Sequence, residues 1–284
     1  MNEHLDGSQE LIVVDNASTD SPGAAAGEWK GNHRFLALDD NLGFGRASNE
    51  GVRAATQPTT VLLNPDTELL DAGLDRLADA AAGRWALVGP RVLNADGTVQ
   101  PSASGPEVGP WPWVRALVPA ALQPEAVREH TEPYRLERRV RVAWLTGACI
   151  AAPTAVLRGL GPFDPALRMY GEDVDLGLRA AAAGVGSWFD PTVCRVVHHG
   201  QGSSPLAYGS REGWRPHGTL NWRAALRRAY GSRREWLAWR ALRLNLRLRL
   251  ITKTLLGRAG ERERDRAALA AALAADPPPR LPDR

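Results

Sequence analysis

The sequence contains few cysteines and lacks a long apolar run. Two cysteines, Cys149 and Cys194, occur in 284 residues, so no disulfide framework is expected, and a reducing cytoplasm is the simplest setting. We interpret both thiols as small buried hydrophobic side chains. No stretch of 18 uncharged apolar residues occurs, so no membrane-spanning helix is expected. The first residues lack a basic segment followed by an apolar one, and we therefore predict no signal peptide.

Acidic residues are scarce in the last part of the chain. Residues 205–284 carry 18 Lys and Arg against 7 Asp and Glu, a net charge of +11, whereas the whole chain carries +3, which leaves −8 for residues 1–204. This asymmetry predicts a catalytic body at residues 1–204, a basic Trp- and Arg-rich helical region at 205–270 and a disordered tail at 271–284. The body should carry the chemistry, and the basic region should meet an anionic partner.

Strand and helix patterns alternate along the body. Apolar runs of strand length occur at residues 11–14, 35–38 and 61–63. Further strand candidates are residues 86–88, 140–145, 188–189 and 193–197. Alternation of this kind predicts an α/β fold with a Rossmann-like, mostly parallel sheet flanked by helices. The basic region would then form a C-terminal helical appendage.

Helical patterns separate several of these runs. Helices are predicted at residues 45–55, at 71–82 with Asp71 as the N-cap, and from about 171 to 183. Residues 101–133 are rich in Pro, Gly and Ala. They are either a functional loop over the site or a poorly ordered excursion.

Acids and amides follow three of the predicted strands. The first strand is followed by Asp15 and Asn16, the second by Asn41, and the third by the turn Asn64-Pro65-Asp66. Because proline cannot donate to a sheet ladder, it ends the third strand and stiffens the turn that carries Asp66. The ligand crevice of such a sheet lies at the carboxyl ends of its strands. We therefore expect these side chains to line one site.

Six sequence motifs follow one another from about residue 10 to residue 204. They are LIVVDNASTD, NLGFGRASNEG, LLNPDTELL, WLTGACIAAP, FDPALRMYGEDVDLGLRAAAAG and VVHHGQGSS. In this order they resemble the family-2 glycosyltransferases, and most closely their rhamnosyltransferase-like branch. The resemblance implies a glycosyltransferase-A fold, a nucleotide-sugar donor, Mg²⁺ or Mn²⁺ as cofactor, and inversion at the anomeric carbon.

The resemblance also assigns roles to acids and a histidine. It implies that Asp66 and His198 bind the metal, and that Asp173 is the general base, with Glu172 as the alternative. One carboxylate can suffice, because Mg²⁺ also takes phosphate oxygens and waters. Successive side chains of a strand point to opposite faces, so His199 would point away from the site.

Donor and acceptor residues are implied in the same way. The donor-binding residues would be Asp15, Asn16, Asn41, Gly43, Arg46, Asn49 and Asn64. The acceptor-side segment would contain Trp144, Thr146 and Gly147. The expected acceptor is a glycan or a polyprenyl-linked sugar of cell-envelope polysaccharide synthesis. The expected donor sugar is a deoxyhexose such as the rhamnose of dTDP-rhamnose.

The basic region predicts an amphipathic helix. On a helix one stripe would contain Leu237, Leu244, Leu248, Ile251 and Leu255, and another would contain Arg240, Arg243 and Arg247. Residues 243–250 also alternate as a strand would, but their Leu and Arg content favours a helix. We expect this helix to hold a cytoplasmic protein peripherally at the anionic inner face of the plasma membrane. A helix packed on the body with solvated charges is the alternative.

Two other classes of function stay open. One is a catalytically impaired, glycosyltransferase-like chain that acts as a binding or scaffold protein. The other is a nucleic-acid binder that uses the Arg and Trp residues of the basic region. That region lacks a recognisable reader motif, and the acidic body would repel phosphates. No nucleic-acid partner is therefore expected.

The resemblance also implies a strand that this sequence lacks. The family normally opens with an apolar strand that pairs between the strands at 11–14 and 61–63, whereas here the strand at residue 11 comes first. Without it, both neighbours would present unpaired backbone groups, each costing about 1–3 kcal/mol if buried. We therefore expect a chain that is shortened at its N-terminus and that folds poorly or binds its donor weakly.

Overall fold

The structure is a computed structural model that describes residues 3–19, 22–167, 170–200, 214–257 and 259–274. Its strands are β1 (Leu11–Asp15), β2 (His33–Ala37), β3 (Thr59–Leu63), β4 (Thr67–Leu69), β5 (Leu87–Gly89), β6 (Arg91–Leu93), β7 (Ala103–Ser104), β8 (Val140–Val142), β9 (Trp144–Leu145), β10 (Cys149–Pro153), β11 (Ser187–Phe189) and β12 (Arg195–His198). Its helices are α1 (Pro22–Gly27), α2 (Phe44–Ala54), α3 (Gly73–Ala82), α4 (Trp111–Leu117), α5 (Glu125–Thr131), α6 (Thr154–Leu160), α7 (Glu172–Ala182), α8 (Trp214–Tyr230), α9 (Ser232–Leu255) and α10 (Ala259–Ala274). The predicted strands and helices of the body are present, with shifted ends.

Among the described residues the strands form mixed sheets. The central sheet has the order β3-β10-β5-β11-β8, a second sheet has the order β4-β12-β6, and two-stranded sheets pair β1 with β2 and β7 with β9. The α/β class is confirmed. The mostly parallel sheet is wrong, because five of the eight described pairings are antiparallel. Two of these five pairings involve β10, which runs antiparallel to both of its neighbours in the central sheet.

Strand β10 divides the core into two layers. Its five residues are all buried, and alternate side chains point to opposite faces of the sheet. Ile150 and Ala152 enter one hydrophobic cluster, while Cys149 and Ala151 enter the other. Both cysteines are free and buried, as predicted. Burial raises the pKa of the Cys194 thiol to about 12, so the thiol stays neutral at physiological pH.

The start of α3 differs from the prediction. Asp71 is not its N-cap: the helix begins at Gly73, Ala72 precedes it, and no side chain caps it. The reason is β4, an unpredicted strand that pairs with β12 and keeps the chain extended to residue 69. Asp71 instead lies 3.5 Å from Arg76 in an ion pair.

Strands β1 and β3 lie in separate sheets. In the described parts of the chain, β1 pairs with β2 and β3 pairs with β10, so each strand has one edge without a strand partner. Unpaired edges on these two strands agree with the expectation from the sequence. Side chains fasten β1 to the body instead, since Glu10 accepts hydrogen bonds from the backbone and the hydroxyl of Thr56, both at 2.9 Å.

Residues 101–133 form helices and pack against the C-terminal helices. They contain α4 and α5, which are held together by stacking of Trp111 on His130 with ring centroids 4.0 Å apart. Helix α4 packs against α9, and Asn245 of α9 donates a hydrogen bond to the Arg115 carbonyl at 2.6 Å. The segment therefore joins the body to the basic region.

The basic region is helical, as predicted, and packs on the body. Helix α8 buries Ala225 and Leu226 against Val174 and Leu178 of α7. Helix α9 packs against α4 and α10. The tail predicted to be disordered begins at residue 271, whereas α10 continues to Ala274; residues 275–284 and 201–213 lie outside the described residues. No helix in the described part of the chain is both long and apolar enough to cross a membrane.

Candidate active site

A carboxylate and an imidazole meet where β3 and β12 end. After β3, residues 64–66 form a turn that is closed by a hydrogen bond of 3.0 Å from the Thr67 N–H to the Asn64 carbonyl. His198, the last residue of β12, places Nε2 at 3.1 Å from Asp66 Oδ1, and their side chains are 16% and 18% exposed. Asn64 Nδ2 lies 3.0 Å from the same Nε2. The structure thus brings together three residues that sequence analysis assigned to metal or donor.

The neighbouring histidine points elsewhere. The side chain of His199 lies 3.2 Å from the exposed Glu68 carboxylate, while its backbone N–H donates to the Asp66 carbonyl at 2.9 Å. The expected alternation of side chains along this strand is confirmed. The backbone hydrogen bond holds the turn that carries Asp66 against the end of β12.

Two adjacent acids open α7. Burial first, and then the negative charge of Asp173, raises the pKa of Glu172 to about 8, so Glu172 is protonated at neutral pH. Burial also raises the pKa of Asp173, but the backbone N–H groups of Val174 and Gly147 oppose this shift. These groups donate to Asp173 at 2.8 and 3.4 Å and favour its ionised form. The two acids therefore differ in their partners, because Asp173 accepts from two backbone N–H groups, whereas the buried Oε2 of Glu172 has no hydrogen-bond partner.

One short segment, residues 146–148, contacts both the acid pair of α7 and the turn that carries Asp66. Gly147 donates its N–H to Asp173, and the Ala148 carbonyl accepts the N–H of Asn64 at 3.0 Å. A Cβ on Gly147 would lie 3.0 Å from the ring of Phe44, the first residue of α2. Any side chain at this position would therefore press on the Phe44 ring, which would have to shift by a few tenths of an ångström.

Two of the residues predicted to lie on the acceptor side, Trp144 and Thr146, are held by the segment that follows residue 100. Trp144 donates its indole N–H to Glu107 at 3.0 Å, and the Thr146 N–H donates to the Ser102 carbonyl at 2.9 Å. Glu107 is buried and also accepts a hydrogen bond from Ser104 at 2.6 Å. Sequence analysis did not predict this role for Glu107, because no motif in its local sequence indicates a contact with Trp144.

The predicted donor residues at the ends of β1 and β2 contact one another. Asn16 donates its amide to Asn41 Oδ1 at 3.0 Å, and Asn16 Oδ1 accepts the Leu42 N–H at 2.8 Å. The Gly43 N–H also donates to Asn41. Asp15 accepts the N–H of Ser18 at 3.0 Å. These bonds join the β1 end to the loop that enters α2.

Arg46 and Asn49 contact protein backbone. Asn49 donates to the Phe163 carbonyl at 2.7 Å and accepts the Phe163 N–H at 2.9 Å, while Arg46 Nε donates to the Pro165 carbonyl at 2.9 Å. These bonds hold α2 against the segment that precedes α7. Their predicted contact with the donor stays a prediction, and the structure adds a positioning role.

Arg228 of helix α8 forms ion pairs with two acids beside this site. Arg228 lies 2.9 Å from Asp164 and 2.7 Å from Asp175. Asp175, two residues after Asp173, also binds Arg179 at 2.6 Å. The basic region therefore helps to orient the helix that carries the acid pair, a contact that the sequence did not reveal.

Known proteins resemble this chain in sequence and in fold. The profile of the family described as "Glycosyl transferase family 2" matches residues 5–140. A Mycobacterium tuberculosis protein named N-acetylglucosaminyl-diphospho-decaprenol L-rhamnosyltransferase is 34% identical over 209 residues. The chain belongs to glycosyltransferase family 2. The match covers 66% of this chain and 66% of that relative, so this family-2 chain spans just under two thirds of the relative's length.

Two solved structures show the fold of this family-2 chain. GalNAc-T7 with UDP, GalNAc and Mn²⁺ superposes with a TM-score of 0.54 and 20% identity over 76% of this chain and 42% of the other. A mannosyltransferase from Pyrobaculum calidifontis with GDP-Man and Mn²⁺ gives a TM-score of 0.53 and 16% identity over 94% and 76%. The predicted glycosyltransferase-A fold is thus confirmed.

Proposed function

We propose that this protein is a metal-dependent, inverting glycosyltransferase. It would move a sugar, in the first instance rhamnose, from a nucleotide-sugar donor to a polyprenyl-linked acceptor of cell-envelope polysaccharide synthesis. The observation that carries this proposal is the pairing of Asp66 with His198 beside a segment that also binds Asp173. The name of the mycobacterial relative supports rhamnose and an N-acetylglucosaminyl-diphospho-polyprenol acceptor.

The donor set at Asp66 fits a divalent cation. Asp66 and His198 would hold it, because a carboxylate oxygen and an imidazole nitrogen lie 3.1 Å apart here and both are ligand types for divalent cations. No cluster of three His, Cys, Asp or Glu side chains suited to a metal occurs among the described residues. The remaining ligands would therefore be diphosphate oxygens and waters. When bound, the cation supplies positive charge for the departing diphosphate.

Asp173 is the residue best suited to accept the acceptor's proton. In an inverting transfer the acceptor hydroxyl oxygen attacks the anomeric carbon, the bond to the diphosphate breaks, and the hydroxyl proton moves to a carboxylate. Asp173 is held by two backbone N–H groups, whereas Glu172 holds its own proton at neutral pH. We therefore assign the role of the base to Asp173 rather than to Glu172.

A panel of donors tests this function. Wild-type protein with Mn²⁺ is incubated separately with UDP-, GDP- and dTDP-sugars, and release of the nucleoside diphosphate is measured. We expect one donor class, dTDP-rhamnose first among them, to be consumed well above the others. Consumption of none of them would support the catalytically impaired alternative. That alternative is favoured by one observation, the separation of β1 from β3, because donor residues of β1 are then joined to the body through side chains and α2.

The outer face of α9 supports binding to an anionic membrane surface. The predicted apolar stripe of this helix reaches solvent at Leu248, Ile251 and Leu255, which are 36%, 56% and 82% exposed. Arg240 stacks over Trp236, with its guanidinium carbon 4.8 Å from the ring centroid, and Arg247 is exposed. An exposed apolar stripe with adjacent arginines suits an interface with acidic lipid. The protein would then lie peripherally at the inner face of the plasma membrane.

Liposome binding tests this surface. Wild type should sediment with vesicles of phosphatidylglycerol and phosphatidylcholine, and salt should weaken the binding, because each basic residue near the surface contributes about 1 kcal/mol. Ile251→Glu should bind more weakly. Trp85→Glu is the matched control, since Trp85 is 59% exposed on the body. Equal binding of all three proteins, or none by wild type, would contradict the proposal.

A further inference from the structure

The imidazole of His198 has a second partner outside the site. Its Nδ1 lies 2.9 Å from Oε1 of Gln100, which follows a hairpin turn after β6. The turn is closed by backbone hydrogen bonds from Asn94 to Thr98 at 2.8 Å and from Gly97 to Asn94 at 2.9 Å. Gly97 has a φ of +78°, a conformation that favours glycine. These hydrogen bonds define the turn that leads to Gln100.

A chain of hydrogen bonds fixes the direction of each amide in this hairpin. Asp96 accepts the Thr98 hydroxyl at 2.5 Å and its N–H at 2.9 Å. These bonds, the hydroxyl first, hold the pKa of Asp96 below its usual value, so its carboxylate only accepts. The Thr98 oxygen then accepts from Asn94 Nδ2 at 2.9 Å. Asn94 Oδ1 accepts in turn from Gln100 Nε2 at 3.0 Å.

The direction of this chain has a consequence for the imidazole. Because the amide nitrogen of Gln100 is used by Asn94, and also lies 3.5 Å from the His198 carbonyl, its oxygen faces Nδ1. An amide oxygen only accepts, so Nδ1 carries a hydrogen and is the donor in this contact. In the neutral Nδ1–H tautomer Nε2 has a lone pair that accepts from the Asn64 amide at 3.0 Å. The Asp66 carboxylate oxygen, 3.1 Å from Nε2, is also an acceptor, so a cation between them would bind both. A metal ligand needs this lone pair, and Asn64 would yield its hydrogen bond to an incoming cation.

We propose that Gln100, oriented by Asn94, Thr98 and Asp96, is a positioning residue that sets the tautomer of His198 and turns its Nε2 lone pair towards Asp66. This inference rests on the proposed function for its use in metal binding, although the tautomer itself does not depend on metal. Partners that hold the second nitrogen of a ligating histidine typically contribute 10–100-fold to metal affinity. The arrangement explains why a surface hairpin reaches back to the end of β12.

Two measurements on the full chain test the inference. Long-range ¹H–¹⁵N spectra of the imidazoles, with the His198 signal assigned by its loss in His198→Asn, report which nitrogen carries the hydrogen. Loss of the free Mn²⁺ signal in electron paramagnetic resonance, with Mn²⁺ alone and with UDP, GDP or dTDP, reports metal affinity. The variants are Gln100→Leu, the rescue Gln100→Glu, and Gln57→Leu as control. Gln57 is exposed, and its backbone carbonyl, which the substitution keeps, accepts the Thr154 hydroxyl.

We expect the Nδ1–H tautomer in wild type, Gln57→Leu and Gln100→Glu, and a mixture in Gln100→Leu. The Mn²⁺ dissociation constant of Gln100→Leu should rise by about 10–100-fold, while that of Gln100→Glu should stay close to wild type. An Nε2–H tautomer in wild type, or a Gln100→Leu protein with unchanged tautomer and Mn²⁺ affinity, overturns the inference. A wild-type protein with the Nδ1–H tautomer that binds no Mn²⁺ would sink the metal role in the proposed function, while the positioning by Gln100 would stand.

Discussion

Asp66→Asn should abolish the dependence of the protein on Mg²⁺ or Mn²⁺ together with nearly all sugar transfer. Asp66 is the one carboxylate of its turn, and its Oδ1 lies 3.1 Å from His198. Charge stabilisation by a bound metal is worth several kcal/mol, and about 1.4 kcal/mol is tenfold in rate. Transfer should therefore fall by about 100-fold or more, as measured by release of nucleoside diphosphate with acceptor present.

The control for this variant is Asp79→Asn. Asp79 is an exposed acid on α3, so the same change of charge is made away from the site. Its rate and its response to metal should match those of wild type. Near-normal transfer by purified, folded Asp66→Asn would rule out the metal role of Asp66.

Asp173→Asn should keep donor binding and lose transfer, whereas Glu172→Gln should retain transfer. An amide cannot accept the acceptor's proton, and positioned base catalysis contributes about 10²–10⁴ in rate. Glutamine mimics the protonated form that Glu172 has at neutral pH because of burial. Donor binding is measured by calorimetry and transfer by product formation. An active Asp173→Asn beside an inactive Glu172→Gln would show that the base is the other acid.

Glu172→Gln should also change how the free energy of unfolding depends on pH. Burial, aided by the charge of Asp173, raises the pKa of Glu172 from 4.5 to about 8. Because the unfolded chain releases this proton first, the contribution of Glu172 to the free energy of unfolding should fall as pH rises from about 4.5 to about 8. Glu172→Gln should lack that part of the decline. Thermal unfolding across this pH range measures the difference.

The strands and helices that sequence analysis predicted are those with clear patterns. Apolar runs marked β1 and β3, and acids before an apolar stripe marked α7. Strand β10 was missed because its alanines have low strand propensity and burial on both faces leaves no alternation. Helix α4 was missed because its Trp-Pro-Trp sequence resembles a loop, although proline is tolerated in a first helical turn.

The site was predictable only in its motif residues. The resemblance named Asp66 and His198, and the structure shows that the end of β12 brings them together. Gln100 was missed because its hairpin resembles an ordinary surface turn, and no local pattern reports a contact with a residue 98 positions away. Arg228 belongs to the basic region, for which charge predicted an anionic partner outside the chain, whereas it pairs with Asp164 and Asp175. Such contacts depend on tertiary packing, which residue type and spacing do not specify.

The central claim is that this family-2 chain transfers sugar from a nucleotide-sugar with the help of a divalent cation. The most direct measurement is the rate at which wild type consumes its preferred donor with acceptor present, first with Mn²⁺, then with excess EDTA, then with Mn²⁺ restored. We predict turnover that stops with EDTA and returns with the metal. Turnover that EDTA leaves unchanged, or the absence of turnover with every donor of the panel, would contradict the claim.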